Sequence, residues 1–293
     1  MSIFELKDGN QYGLIDMETG YDIGKKVIVP GTETYIREDN GKAIKGCLCK
    51  NIYDLEGISM VIVTIEPSVS SPASDFISHT NHEEIALVLE GNGLIEYPDG
   101  VSKEIKLDDC FYLQAGQPHR IVNNSENILK LCVIYSGHIR NVERTKYKKG
   151  GALDKMKGYQ NKNLSEAVQK IAPGFTGNKG DEGHYTAIIF EGSNICFLYA
   201  VMCKDNSSPM EDFVSHPMVD ELEFAISGQG LVIFPDRVFR LRPGIMRHNP
   251  PEQPSKSWNN HDEDLRLAVF YSTGKIADVY RTHKRARVFD VLN

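Results

Sequence analysis

No stretch of this 293-residue sequence approaches the ~18 consecutive apolar residues that a membrane-spanning helix needs. Its start, MSIFELKDGN, also lacks the basic-then-apolar order of a secretory leader. A cytoplasmic protein with no membrane partner is expected. Runs of five or six Lys or Arg are missing too, and 33 basic against 40 acidic residues leave a formal net charge of −7. Such a surface offers phosphates no basic track, so nucleic acid is not an expected partner. There is no CxxC pair among the cysteines at 47, 49, 110, 132, 196 and 203, and four of these lie in apolar stretches where a free thiol packs as a small hydrophobe. No disulfide framework is expected. Cys47 and Cys49 have no further ligand close in sequence and read as structural rather than zinc-binding.

What is present is ordinary globular material, 41% hydrophobic and 25% charged, and long enough for two domains. It is also repeated. Residues 75–99, DFISHTNHEEIALVLEGNGLIEYPD, align without a gap on residues 212–236, DFVSHPMVDELEFAISGQGLVIFPD, and share Asp75, Phe76, Ser78, His79, Glu84, Gly91, Gly93, Leu94, Pro98 and Asp99 with their counterparts. LKLCVIYS (129–136) matches LRLAVFYS (265–272), and GHIRNVERT (137–145) matches GKIADVYRT (274–282). Two copies of one domain follow: an N-terminal one over 1–150, with its core at about 50–145, and a C-terminal one over 151–293, with its core at about 184–282.

Runs such as ISMVIVTIEP, EIALVLEG, CFYLQAG and LKLCVIYS are short, rich in β-branched and aromatic residues, and punctuated by Gly, Pro, Asn and Asp. They predict an all-β sandwich or barrel in each copy. The connector is rich in Lys, Gly and Asn. Within it, Asn163 followed by Glu166 has the spacing of a capping box and predicts one short helix.

Each copy places a His five residues before a Glu, followed by a Gly: His79, Glu84 and Gly91, then His216, Glu221 and Gly228. A further His closes each copy, His119 within GQPHRIVN and His248 within RPGIMRHNP. Two His and one carboxylate on the strands of a small barrel can form a facial ligand set with open positions. This suits Fe(II), with Mn, Ni, Co and Zn as alternatives. In a strand starting near residue 82, His82 shares a face with Glu84, as a fourth ligand, an acid/base group or simply part of a polar turn. In the second copy Glu223 shares a face with Glu221, either as a general acid/base or as the ion-pair partner of Arg240 or Arg242. Arg120 and Arg247 adjoin the candidate His ligands and are further candidates for recognising a carboxylate or phosphate. Trp258 lies in a loop-like stretch that could cover the second barrel.

At these residues the sequence resembles the cupin superfamily, whose motifs run G-x5-H-x-H-x3,4-E-x6-G and G-x5-P-x-G-x2-H-x3-N. The resemblance spans both copies and implies a bicupin: tandem cupin barrels of the double-stranded β-helix or jelly-roll type, with few short helices. Carried over, the metal ligands are His79, Glu84 and His119 in one barrel and His216, Glu221 and His248 in the other. Both copies depart from the pattern, with Ile77 and Val214 at the first motif His, Gln114 at the second-motif Pro, and His248 one residue too far from Gly244. The resemblance implies a metal-dependent enzyme acting on a small polar organic metabolite, with dioxygenase chemistry leading. A non-oxidative isomerase, lyase, decarboxylase or aminohydrolase is the alternative, as is a non-catalytic binding or storage protein. It also allows a homodimer.

Overall fold

The computed structural model describes residues 42–150, 159–168, 172–173, 183–209, 212–235, 237–282 and 284–286, together with the strand residues 14–16, 21–22, 27–28 and 33–37. Nearly all the apolar runs become antiparallel strands, as their β-branched content requires. Residues 31–166 form one compact unit, and residues 1–30 with 167–293 form the other.

In the first unit a seven-stranded sheet runs in the order Gln160–Asn163, Asp109–Leu113, Glu84–Glu90, Leu129–Ser136, Ile58–Ile65, Ala43–Asp54 and Glu33–Arg37. A four-stranded sheet contains Ser102–Lys106, Asn92–Glu96, Arg120–Val122 and Ser70–Ser71. Alternate residues of the two sheets meet in one core: Val61, Val63, Ala86, Val88, Phe111, Leu131 and Val133 from the larger, Ile95, Ile105 and Ile121 from the smaller. This is a jelly-roll barrel whose inward faces are set by the period of two. A two-stranded ribbon, Phe76–His79 with Arg144–Tyr147, completes it.

The second unit repeats the plan. Its large sheet includes Cys196–Met202, Leu265–Tyr271, Glu221–Ser227 and Ile245–Asn249, extended at one edge by Leu14–Asp16. Leu198, Ala200, Leu267 and Val269 pack against Val232, Phe234, Phe239 and Leu241 of the smaller sheet. The all-β duplicated barrel expected from the sequence is what the chain forms. The shared hairpin glycines also have a physical reason. Gly91 has φ +77°, and a Cβ there would lie 2.1 Å from the Ile128 carbonyl oxygen; Gly228 repeats this with φ +76° and the Asp264 carbonyl at 2.2 Å.

The predicted short helix is Leu164–Val168, where Asn163 Oδ1 accepts a hydrogen bond from the Ser165 N–H at 3.0 Å. The copies part company after their last long strand. GKIADVYRT folds into the helix Ile276–Thr282, which buries Ile276 and Val279, whereas GHIRNVERT gives a single 3-10 turn, Ile139–Asn141, and then a strand. Trp258, expected in a loop, ends the strand Lys256–Trp258, paired with Leu231. All six cysteines are free, and burial pushes the Cys47 and Cys49 thiols up to about 11, which keeps them protonated and inert. Asp99 is a turn residue whose Oδ1 accepts from the Val101 N–H at 3.1 Å; its counterpart Asp236 lies outside the described residues. Among the described residues no helix is long and apolar enough to cross a membrane.

Candidate metal centre

Three pairings build the first site. Glu84 opens its strand opposite Leu113 on one side and Tyr135 on the other, and shares an inward face with Ala86 and Val88. His79 ends the ribbon strand. His119 is bridged to Ile77, two residues from His79, through Ile77 N–H to the His119 carbonyl (3.0 Å) and His119 N–H to the Ile77 carbonyl (2.8 Å). Diagonal neighbours two residues apart share a face, and the two imidazole rings lie 5.6 Å apart between centroids. The turn that returns the chain passes through Gly116, at φ +81°, whose N–H donates to the His79 carbonyl at 2.9 Å. The sequence therefore places the two His side by side through a ribbon rather than through a single long strand.

The donor atoms converge. His79 Nε2 lies 3.1 Å and His119 Nε2 3.7 Å from Glu84 Oε2, and all three side chains are about 5% exposed. Together they are the cluster of potential metal ligands found among the described residues, with one atom from each within 4.8 Å of the others. His119 Nδ1 lies 3.1 Å from the Gln117 carbonyl. A carbonyl only accepts, so Nδ1 carries the proton and the Nε2 lone pair faces Glu84. Glu84 Oε2 is buried and accepts no hydrogen bond. Lone pairs and a carboxylate oxygen facing one another want a cation between them. Ligand atoms about 2.1 Å from a metal at right angles lie about 3 Å apart, close to the separations seen. The residues fit a divalent metal.

The electrostatics agree. Burial alone would raise Glu84, but the neighbouring imidazoles of His119 and His79 bring its carboxyl below the ordinary range. Burial lowers His119, favouring the neutral, ligating imidazole. Tyr135 sets its ring edge-on to His79 at 5.0 Å, and burial followed by the Glu84 charge pushes its phenol well above the ordinary value. Arg144 is the cross-strand partner of His79, exposed at the surface, and its charge also helps to lower Glu84.

His82 is not in the cluster. The strand begins only at Glu84, and the His82 ring turns aside, with Nδ1 2.6 Å from Asn81 Oδ1 and Nε2 against Gly137. Burial and the charge of His79 lower its pKa. Arg120 does not reach the cluster either. Its Nε donates to Glu96 at 3.0 Å and its guanidinium covers Phe76.

The second barrel keeps part of this pattern and replaces the rest. His216 meets Tyr271 edge-on at 5.4 Å, as His79 meets Tyr135, and the Tyr271 hydroxyl donates to Glu221 Oε1 at 3.3 Å. The expected third ligand, His248, needs correcting. It sits between Arg247 and Asn249 on a strand paired with Glu221–Ser227, turns away from the barrel interior, and places Nε2 2.8 Å from Asp220 Oδ1. The position equivalent to His119 is Ser255, bridged to Val214 as His119 is to Ile77, and preceded by Glu252, at φ +66°, whose N–H meets the His216 carbonyl at 3.3 Å. GQPHRIVN is thus matched by EQPSKSWN, and the His has become Ser. That match was readable, because LKLCVIYS and LRLAVFYS stand 136 positions apart, one fewer than the upstream segments. Arg247 points inward instead. Its Nη2 lies 3.2 Å from Glu221 Oε2 and 2.8 Å from Glu223 Oε2, and its Nη1 donates to Ser255 Oγ at 3.1 Å. Glu223 is therefore the partner of Arg247, not of Arg240 or Arg242.

A family model described as the cupin domain matches residues 61–135. No curated protein matches the sequence. Solved structures with similar folds include a cupin 2 conserved barrel domain protein from Leptotrichia buccalis, 14% identical over 79% of this chain and 91% of that one, with a TM-score of 0.56. Oxalate decarboxylase from Bacillus subtilis is 15% identical over 92% and 77% of the two chains, with a TM-score of 0.55. Salicylate 1,2-dioxygenase from Pseudoaminobacter salicylatoxidans is 10% identical over 78% and 74%, with a TM-score of 0.59. At these identities the likeness is one of fold.

Proposed function

Starting from a chain that belongs to the cupin superfamily and carries two of its barrels, we propose that the first barrel is the catalytic centre of a metal-dependent enzyme acting on a small organic anion. The convergence of His79 Nε2, Glu84 Oε2 and His119 Nε2 in a buried pocket carries the reading. Two His and one carboxylate favour Fe(II) and a dioxygenase-type reaction. When bound, such a metal supplies open coordination positions and one-electron chemistry.

The chain's own residues do the rest. His119 is held in its ligating tautomer by the Gln117 carbonyl, and Tyr135 braces His79. Tyr135 also keeps its proton across the neutral range, so its hydroxyl is a donor rather than a base. Arg144 supports the choice of an anion. It stands beside His79 on the same ribbon face with no ion-pair partner among the described residues, and a divalent ion with one carboxylate and one guanidinium leaves the site net positive. The two enzymes of similar fold named above carry oxalate and salicylate in their names, both small carboxylates.

The test is metal content per chain by mass spectrometry, with oxygen uptake measured over a panel of small carboxylic acids. About one iron, lost in His79→Ala and kept in His216→Ala, is the expected result. An apoprotein that takes up no metal on reconstitution, or a His79→Ala protein that keeps it, overturns the proposal. Arg144→Gln should leave metal content unchanged and weaken carboxylate binding about tenfold, the loss of one charge-assisted bidentate contact.

A further inference from the structure

In the second barrel, Arg247 donates to Ser255, the counterpart of the ligand His119, and lies 3.2 Å from Glu221, the counterpart of Glu84. Its guanidinium therefore stands among the side chains that correspond to the metal ligands of the first barrel, and it is only 2% exposed. The cluster is closed in on itself. Glu223 accepts from Arg247 and from Ser257 Oγ (2.9 Å), and Glu221 accepts from Tyr271 and from Asn249 Nδ2 (3.1 Å). The cation is built in, and every carboxylate oxygen already has a donor.

Beside this cluster the barrel keeps a cavity of about 80 Å³, enough for several non-hydrogen atoms. One wall is apolar, with Leu198, Ala200, Met202, Leu267 and Val269. On the same sheet face, as the cross-strand partner of Ala200, stands Thr186, 3% exposed, whose Oγ1 is buried and makes no hydrogen bond. A buried hydroxyl without a partner costs about 1–3 kcal/mol and calls for an occupant. A charged occupant would lose its hydration, and the Arg247 guanidinium and the two carboxylates, which engage one another, would compensate it poorly.

We infer that the second barrel is a metal-independent binding pocket for a small uncharged molecule with one hydrogen-bonding end and a short apolar end. Thr186 meets the polar end, Leu198, Leu267 and Val269 take the apolar one, and Arg247 stands where the first barrel has its candidate ligand cluster. The inference does not rest on the first barrel being catalytic.

Ligand-observed NMR on the full-length protein tests it with three probes of one size and different charge: propionamide, propionate and propylammonium. Saturable propionamide binding is expected, unchanged after metal stripping and in His79→Ala. The two ions should bind at least about tenfold more weakly. Thr186→Val keeps the shape and removes the hydroxyl, and should weaken propionamide about tenfold; Ala200→Leu should fill the cavity and abolish binding. Three results overturn the proposal: no saturable propionamide binding up to its solubility, equal binding of either ion, or undiminished binding in a folded Thr186→Val protein. A metal retained in His79→Ala and lost in His216→Ala would overturn it too.

Discussion

Replacing Arg247 by Met should destabilise the second barrel far more than a surface substitution would. The side chain is 2% exposed and lies 2.8 and 3.2 Å from two buried carboxylates. Met fills much of the volume but leaves Glu221 and Glu223 facing each other with no cation. Removing one partner of a buried ion pair costs about 3–5 kcal/mol, and the lower end is expected here because Glu223 can take up a proton. The sole tryptophan, Trp258, lies on the strand that carries Ser257, so its fluorescence reports on this barrel. With a urea m-value of about 2 kcal/mol per M, the midpoint followed by Trp258 should fall by about 1.5 M. Adding Glu221→Gln and Glu223→Gln to Arg247→Met removes the stranded charge and should recover at least about half of the loss. A midpoint for Arg247→Met within about 0.3 M of wild type would refute the account of a self-compensated cluster.

Other outcomes follow from the same geometry. His119→Ala should lose the first-barrel metal while its far-ultraviolet circular dichroism remains that of the wild type, since His119 contributes to the ribbon through its backbone. Glu223 has a raised folded-state pKa, so its contribution to stability is fully present below the unfolded value near 4.3 and is lost as pH rises through the folded one. Glu223→Gln lacks that loss, and its Trp258 urea midpoint relative to wild type should rise from about pH 5 to about pH 8; a difference independent of pH would contradict this. Gly91→Ala would force a Cβ to 2.1 Å from the Ile128 carbonyl oxygen in a left-handed conformation, and should cost well over ~1 kcal/mol by denaturant titration.

Much of the first site is legible because two of its three candidate ligands lie on one short segment of chain, where spacing carries much of the geometry. His79 and Glu84 are five residues apart, and the ribbon end and strand start that they occupy are both marked by the apolar runs around them. His119 was legible through its flanking GQPHRIVN. For His82 the polar-turn alternative is the one the chain adopts, because the strand begins only at Glu84 and the period of two does not extend through the turn before it. His248 resembles the motif His only by proximity, because the one-residue shift between the halves of the repeat places Ser255 at that position. Arg144 is not legible from the repeat, because its partner Arg281 falls on a helix, ion-paired with Asp278, so the shared residue type does not mean a shared place.

The duplication, the all-β class and the candidate trio His79, Glu84 and His119 are written along the chain, because strand period, turn glycines and motif spacing are local properties. What fills the centre of each barrel was decided only by the tertiary structure. Which residue of Ile245–Asn249 points inward depends on how that strand pairs with Glu221–Ser227, and this register makes Arg247 the cation of the second barrel and turns His248 away. Cross-strand register is a non-local quantity, and a slip of one residue would have exchanged those two side chains.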